Sequence, residues 1–257
     1  MKTSENIKII KESSVLKIVI DRPEALNALT SEMYDAMSDA LEEADVDPEV
    51  RAILIHGNES CFTSGNDLLD FKERPEDAAK SAFCFMVTVS QLTKPIVAAV
   101  TGPAVGIGTT ILLHHDLVVA GESTSFMLPF VNLGVCPEAG ASYLLPRMLG
   151  HVKAAELLLL GEPFSATAAR EMGIINEIVP DNDVFTRGME LALKLASKPP
   201  AALRLSKSLI KKHSDGRLND IIKDEGDLFL SLLTAPEAKE AFAAFAEKRK
   251  PDFSKFS

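Results

Sequence analysis

The chain has 257 residues, 46 % of them hydrophobic and 25 % charged, with 37 Asp and Glu against 27 Lys and Arg. This balance excludes a disordered or collagen-like chain and predicts a soluble globule with a full core, one large domain or one and a half. The formal charge of −10 gives no basic field for non-specific binding to nucleic acid or an anionic membrane, so neither is expected as a partner.

Residues 1–14 are polar and charge-studded, unlike a signal peptide. The β-branched run at 15–21 predicts a strand that stops at Arg22-Pro23. Residues 31–45 carry Met33, Met37, Leu41 and Ala44 on one helical face, with Thr30 as N-cap. Residues 52–57 predict a second strand, too apolar to have an open face, and 58–67 a loop containing glycine and serine. A helix over 75–92 then leads to a buried strand at 96–101.

The uncharged stretch 95–113 is nearly long enough to span a bilayer. Pro95, Gly102, Pro103, Gly106 and Gly108 split it, however, into strand, loop and a helix over 106–114. A strand at 117–120 follows. Such alternation predicts a parallel-type α/β arrangement. Beyond about residue 137 the pattern turns helical, at 139–149, 153–160, 166–172, 185–197, 201–213, 218–233 and 236–248, with one more strand at 175–179.

Cys61, Cys84 and Cys136 form no C-x-x-C pair and are expected as small buried residues in a reducing compartment. Residues 253–257 match neither a peroxisomal tripeptide nor a prenylation box. A cytoplasmic protein is expected.

Two glycine turns follow strands, at 63–67 (TSGND) and 102–108 (GPAVGIG). Neither has the spacing of a phosphate loop or a dinucleotide fingerprint. Together they can bring two backbone N–H groups to one point, and the second opens a helix whose N-terminus favours negative charge. Those are the components of an oxyanion hole.

The segments 23–29 (PEALNAL), 62–68 (FTSGNDL), 102–107 (GPAVGI), 126–150 and 172–176 (MGIIN) resemble, in order, the signatures of the crotonase superfamily, the enoyl-CoA hydratase/isomerase group. The match runs from about residue 15 to about residue 212. It implies a crotonase-like α/β body of the ββα-superhelix type over 1–198 and a helical C-terminal region over 199–257. That region would mediate a homotrimer or a dimer of trimers. It implies an acyl-CoA substrate whose thioester oxygen lies between the amides of Asn66 and Ile107. Ala25, Leu26, Ser64, Gly65, Asp67, Leu68, Gly106 and Phe130 would border the substrate. Coenzyme A is part of that substrate, and no separate cofactor or metal is implied.

Family hydratases use two glutamates. Counting through the motifs puts Thr110 and Phe130 in those places, and neither can act as a base near neutral pH. Glu138, in LGVCPEAGASY, instead resembles the single glutamate base of the peroxisomal-type Δ3,Δ2-enoyl-CoA isomerases. An isomerase needs only one base, which removes a C2 proton and returns it at C4 of an oxyanion-stabilised dienolate. Phe130 and Val135 would help exclude water.

Pro-Glu also suits the first turn of a helix, where the dipole lowers a carboxyl pKa, so burial must outweigh the dipole if Glu138 is a base. Residues 71–80 and the helix after them are expected to line the acyl slot.

Other candidates read as structural. His114-His115-Asp116 is poorly spaced for a metal. Asp67 suits a loop-organising acceptor better than an acid catalyst. Ser142 and Tyr143 have no histidine partner for a triad. Lys207, Lys211, Lys212, Lys248, Arg249 and Lys250 read as solvated helix faces, although in this family C-terminal basic residues often meet the CoA phosphates. The reading is an enoyl-CoA isomerase; the alternatives are a hydratase or other crotonase-type acyl-CoA enzyme, and a non-catalytic acyl-CoA-binding protein.

Overall fold

A computed structural model describes residues 4–212 and 217–256. Residues 1–3, 213–216 (the first of them the last of the helix expected over 201–213) and 257 lie outside the described residues.

The strands are β1 (Ile7–Glu12), β2 (Val15–Ile20), β3 (Ala52–His56), β4 (Ile96–Val100), β5 (Pro103–Val105), β6 (Leu117–Gly121), β7 (Ser125–Met127), β8 (Phe164–Ser165) and β9 (Glu177–Val179). The helices are α1 (Ser31–Val46), α2 (Leu68–Glu73), α3 (Pro75–Gln91), α4 (Ile107–Thr110), α5 (Ala141–Leu149), α6 (His151–Ala155), α7 (Ala166–Glu171), α8 (Val184–Ala196), α9 (Pro200–Lys212), α10 (Arg217–Leu233) and α11 (Pro236–Ala246).

Six strands form one sheet in the order β1-β2-β3-β4-β6-β9. From β2 to β9 every pairing is parallel, and only the edge strand β1 runs antiparallel. The central strands need no polar face because both sides are covered. Ile53, Ile55, Ala98 and Val100 join the large core under α1 and α3, while Ala52, Leu54, Val97 and Ala99 pack under α8. A second, three-stranded sheet has the order β5-β7-β8.

Thr30 caps α1 through a bond from the Met33 amide at 3.4 Å, as its sequence position predicts. The helix expected over 106–114 is divided, however: α4 has four residues and a 3₁₀ turn, Ile111–His114, continues it. The helix expected over 153–160 likewise ends early, giving way to a π turn at Glu156–Leu160. Residue 198 falls between α8 and α9. Beyond it, α10 packs across α3, and α11 packs near the 3₁₀ turn Val131–Leu133. Among the described residues, no helix is long and apolar enough to cross a membrane.

Candidate active site

The loop after β3 and the β4–β5–α4 segment run side by side. The Thr63 amide donates to the Pro103 carbonyl at 3.2 Å, and the Val105 amide to the Thr63 carbonyl at 3.0 Å. This approach needs glycine twice. Gly65 has φ +98° and a Cβ there would lie 2.9 Å from the Val105 oxygen; a Cβ at Gly108 would lie 2.6 Å from the Thr63 methyl. The second sheet fixes the other side, since the Gly106 amide donates to Met127 of β7 at 2.9 Å. The two turns thus carry Asn66 and Ile107 on adjoining strands of chain. Among the described residues neither backbone N–H has an acceptor. Ile107 opens α4, where an amide has no partner within the helix.

The neighbouring expected substrate contacts are brought together. The Ser64 amide donates to the Leu26 carbonyl at 3.0 Å and the Ser64 hydroxyl to Ala25 at 3.4 Å. Leu26 is left-handed and largely exposed. Asp67 caps α2, on which Leu68 is the first residue, by accepting from the Leu69 and Asp70 amides. It also accepts from Arg22 at 2.6 Å, in keeping with an organising role.

Glu138 does not sit on a helical turn. It precedes α5, whose N-cap is Gly140, and the two intervening residues are left-handed, Ala139 at φ +56° and Gly140 at φ +74°. The carboxylate that closes this helix end is Glu225 of α10. It accepts from the Gly140 amide at 2.6 Å, the Ser142 amide at 3.0 Å, and the Ser142 hydroxyl. The opposition between burial and dipole is therefore resolved by a second acid, which takes the place at the helix N-terminus.

Glu138 is 2 % exposed, and among the described residues its Oε1 has no hydrogen-bond partner. Burial pushes its carboxyl up to about 8, against the polar side chains of Asn66 and Thr110 nearby and with help from the charge of Glu225. Thr110 thus stands beside the carboxyl. Asn66 is held in turn by Tyr34 of α1, fully buried, whose hydroxyl donates to its side-chain oxygen.

Glu138 lines the head of a cavity of about 260 Å³ between α3 and α10. Phe71, Ala79, Lys80 and Phe83, from the stretch expected at the acyl slot, line it; Ile222, Gly226, Phe229 and Leu230 of α10 complete it. Phe71 and Phe229 meet edge to face, 6.2 Å between centroids. Phe130 is buried but not among the lining residues; its carbonyl accepts from Leu133 and Val135.

His114 and His115 are structural. Their ring nitrogens meet the carbonyls of Ala139 at 2.7 Å and Ile111 at 2.9 Å, and burial pushes both imidazoles down to about 4. No group of three or more His, Cys, Asp or Glu suited to a metal occurs among the described residues. Two expectations need correction. Lys207 and Lys211 are not solvated: Lys207 donates to the Lys94 carbonyl at 2.6 Å and to Asp116 at 2.7 Å, and Lys211 to the Ser90 carbonyl at 2.9 Å. They close the end of α3 and its exit, where carbonyls would otherwise lack donors. Cys84, expected to be buried, is exposed on α3.

The glycine turns, the parallel-rich sheet with its smaller three-stranded companion and the buried acid are in keeping with the crotonase-fold acyl-CoA enzymes. The chain belongs to the enoyl-CoA hydratase/isomerase family, whose model matches residues 10–255. It is 35 % identical to enoyl-CoA delta isomerase 2 of Rattus norvegicus over 253 residues, 96 % of this chain and 64 % of that one. It is 33 % identical to the enoyl-CoA hydratase EchA19 of Mycobacterium tuberculosis, over 95 % of this chain and 94 % of that one. Among solved structures it is similar to OdaA of Pseudomonas aeruginosa, at 46 % identity and a TM-score of 0.92, covering 94 % of this chain and 99 % of that chain.

Proposed function

We propose that the protein is an enoyl-CoA isomerase that moves a double bond from C3 to C2 of an acyl thioester through one base, Glu138. The observation that carries this reading is the Glu138 carboxyl, buried at the head of an apolar cavity with Oε1 unpartnered. Ionised, it takes a proton from C2 of a 3-enoyl thioester. The thioester oxygen, bearing the dienolate charge, lies between the Asn66 and Ile107 amides; loss of one such donor typically costs about 10²–10³ in rate. The carboxyl, now protonated and far from water, returns the proton at C4. Its raised pKa makes it strong enough to abstract and slow to lose the proton to solvent.

Relatives of both activities are similar to this chain, so the choice rests on the site. Hydration needs one group to activate water and another to deliver a proton to carbon. Thr110 and Phe130 stand where the family resemblance implies the hydratase glutamates. The other buried acid beside Glu138, Glu225, has both oxygens engaged by Gly140 and Ser142. Leu26 and Ser64 border the CoA moiety in this reading.

The three free cysteines suit the cytoplasm. The exposed Leu205, Leu209 and Ile210 of α9 offer an apolar face for assembly into a trimer or a dimer of trimers.

Separate incubation with 2-enoyl-CoA and 3-enoyl-CoA tests the proposal. An isomerase converts the second and leaves the first without 3-hydroxyacyl product, and Glu138→Gln abolishes turnover while CoA binding survives. A 3-hydroxyacyl-CoA product would show a hydratase; binding with no turnover would show a carrier.

A further inference from the structure

We propose that Glu225 is a positioning residue for Glu138: it closes the N-terminus of α5, pins the left-handed turn after Glu138, and prevents that helix end from stabilising charge on the Glu138 carboxyl. The proposal deepens the one-base reading and rests on it.

The turn is held from two sides. Glu225 accepts from the Gly140 and Ser142 amides, and His114 contacts the Ala139 carbonyl at 2.7 Å. Ala139 at φ +56° is a strained conformation for a residue with a Cβ, and such a residue persists only where its surroundings impose it. Released from Glu225, the Gly140 and Ser142 amides would lose their acceptor, the first of them buried, with Glu138 the adjacent carboxylate in sequence. Its carboxyl would then either turn away from the cavity or gain the stabilisation the helix end offers an anion.

The surroundings single out Glu225 as the electrostatic partner. The Tyr34 phenol and the Cys136 thiol are pushed upward by burial, and His114 is pushed down to about 4, so all three are neutral near pH 7. Asp70 is paired with Arg74. Glu76 and Lys80 of α3 and Lys223 and Asp227 of α10 stand at the exposed mouth, two of each sign, where solvent screens them. Burial raises Glu225, but three hydrogen bonds favour its charged form.

The test follows the Glu138 carboxyl by ¹³C NMR alongside the acidic limb of kcat/KM, in wild type, Glu225→Gln and Glu225→Asp. In Glu225→Gln both midpoints should fall by about one pH unit, with turnover at the alkaline plateau down about tenfold. Glu225→Asp keeps the charge, so its midpoints should stay within about 0.3 of wild type while turnover falls. Ser142→Ala withdraws one donor from Glu225 and leaves its charge less compensated, so it should move Glu138 upward by a smaller amount; it carries the test if Glu225→Gln does not fold. Unmoved midpoints in Glu225→Gln, or in Ser142→Ala in its place, with activity lowered equally at every pH, would overturn the proposal. If Glu138→Gln keeps isomerase activity, the one-base reading fails on its own, whereas the NMR midpoints still decide the role of Glu225.

Discussion

The Tyr34 hydroxyl donates to the side-chain oxygen of Asn66, and this bond fixes which end of that amide can face Glu138. With its oxygen occupied, Asn66 presents its NH₂ group to the carboxyl, favouring the charged form. Tyr34→Phe removes the donor without changing the ring. The amide is then free to rotate, and we predict a fall in kcat on the order of tenfold with an upward shift of the acidic limb. An unchanged pH–rate profile in Tyr34→Phe would show that Asn66 is held by other contacts.

The free enzyme should be mostly protonated at neutral pH. Glu138 titrates near 8, and a base works only when ionised, so kcat/KM should rise with pH to a half-maximum near 8. Below about pH 7 the slope should approach tenfold per pH unit. A profile flat between pH 5 and 8 contradicts this assignment of the base.

The same carboxyl costs stability. Its folded value near 8 lies above the ordinary 4.5, so the folded state binds the proton more tightly. Its contribution is complete below about 4.5 and is lost as the pH rises through 8. Glu138→Gln cannot ionise, so its stability relative to wild type should grow across that window, reaching roughly 3–5 kcal/mol by pH 9. Urea midpoints measured at pH 5 and pH 9 check this; parallel curves would count against it.

Gly226 lines the cavity between α3 and α10, where the proposed function seats the acyl chain. A Cβ there would lie 3.0 Å from Cδ2 of Phe83, a residue of the facing wall. Gly226→Val should push that ring and its own methyls into the cavity. We expect KM for long-chain substrates to rise about tenfold while short-chain substrates change by less than about twofold. An equal effect on both would place the acyl chain elsewhere.

Much of this was legible in the sequence, for identifiable reasons. The buried strands β3 and β4 are continuous apolar runs, and their faces need no alternation because helices cover both. Glu138, Asn66 and Ile107 are candidates because of motifs in register. β1 escaped notice because it is an edge strand with four of its six residues exposed, its Lys and Glu looking like a solvated tail. The second sheet escaped because its strands have two or three residues, too few for a period. Glu225 has no sequence signal: within IIKDEGDLF it is one acid among three, and only the approach of α10 to α5 gives it a partner. Lys207 likewise reads as a polar helix position until the end of α3 is placed beneath it.

The most direct test is a single turnover of 3-enoyl-CoA deuterated at C2. The account predicts 2-enoyl-CoA with part of the label at C4, carried there by one carboxyl, and no such product from Glu138→Gln. Formation of 3-hydroxyacyl-CoA, or label transfer that survives loss of the Glu138 carboxyl, would contradict it.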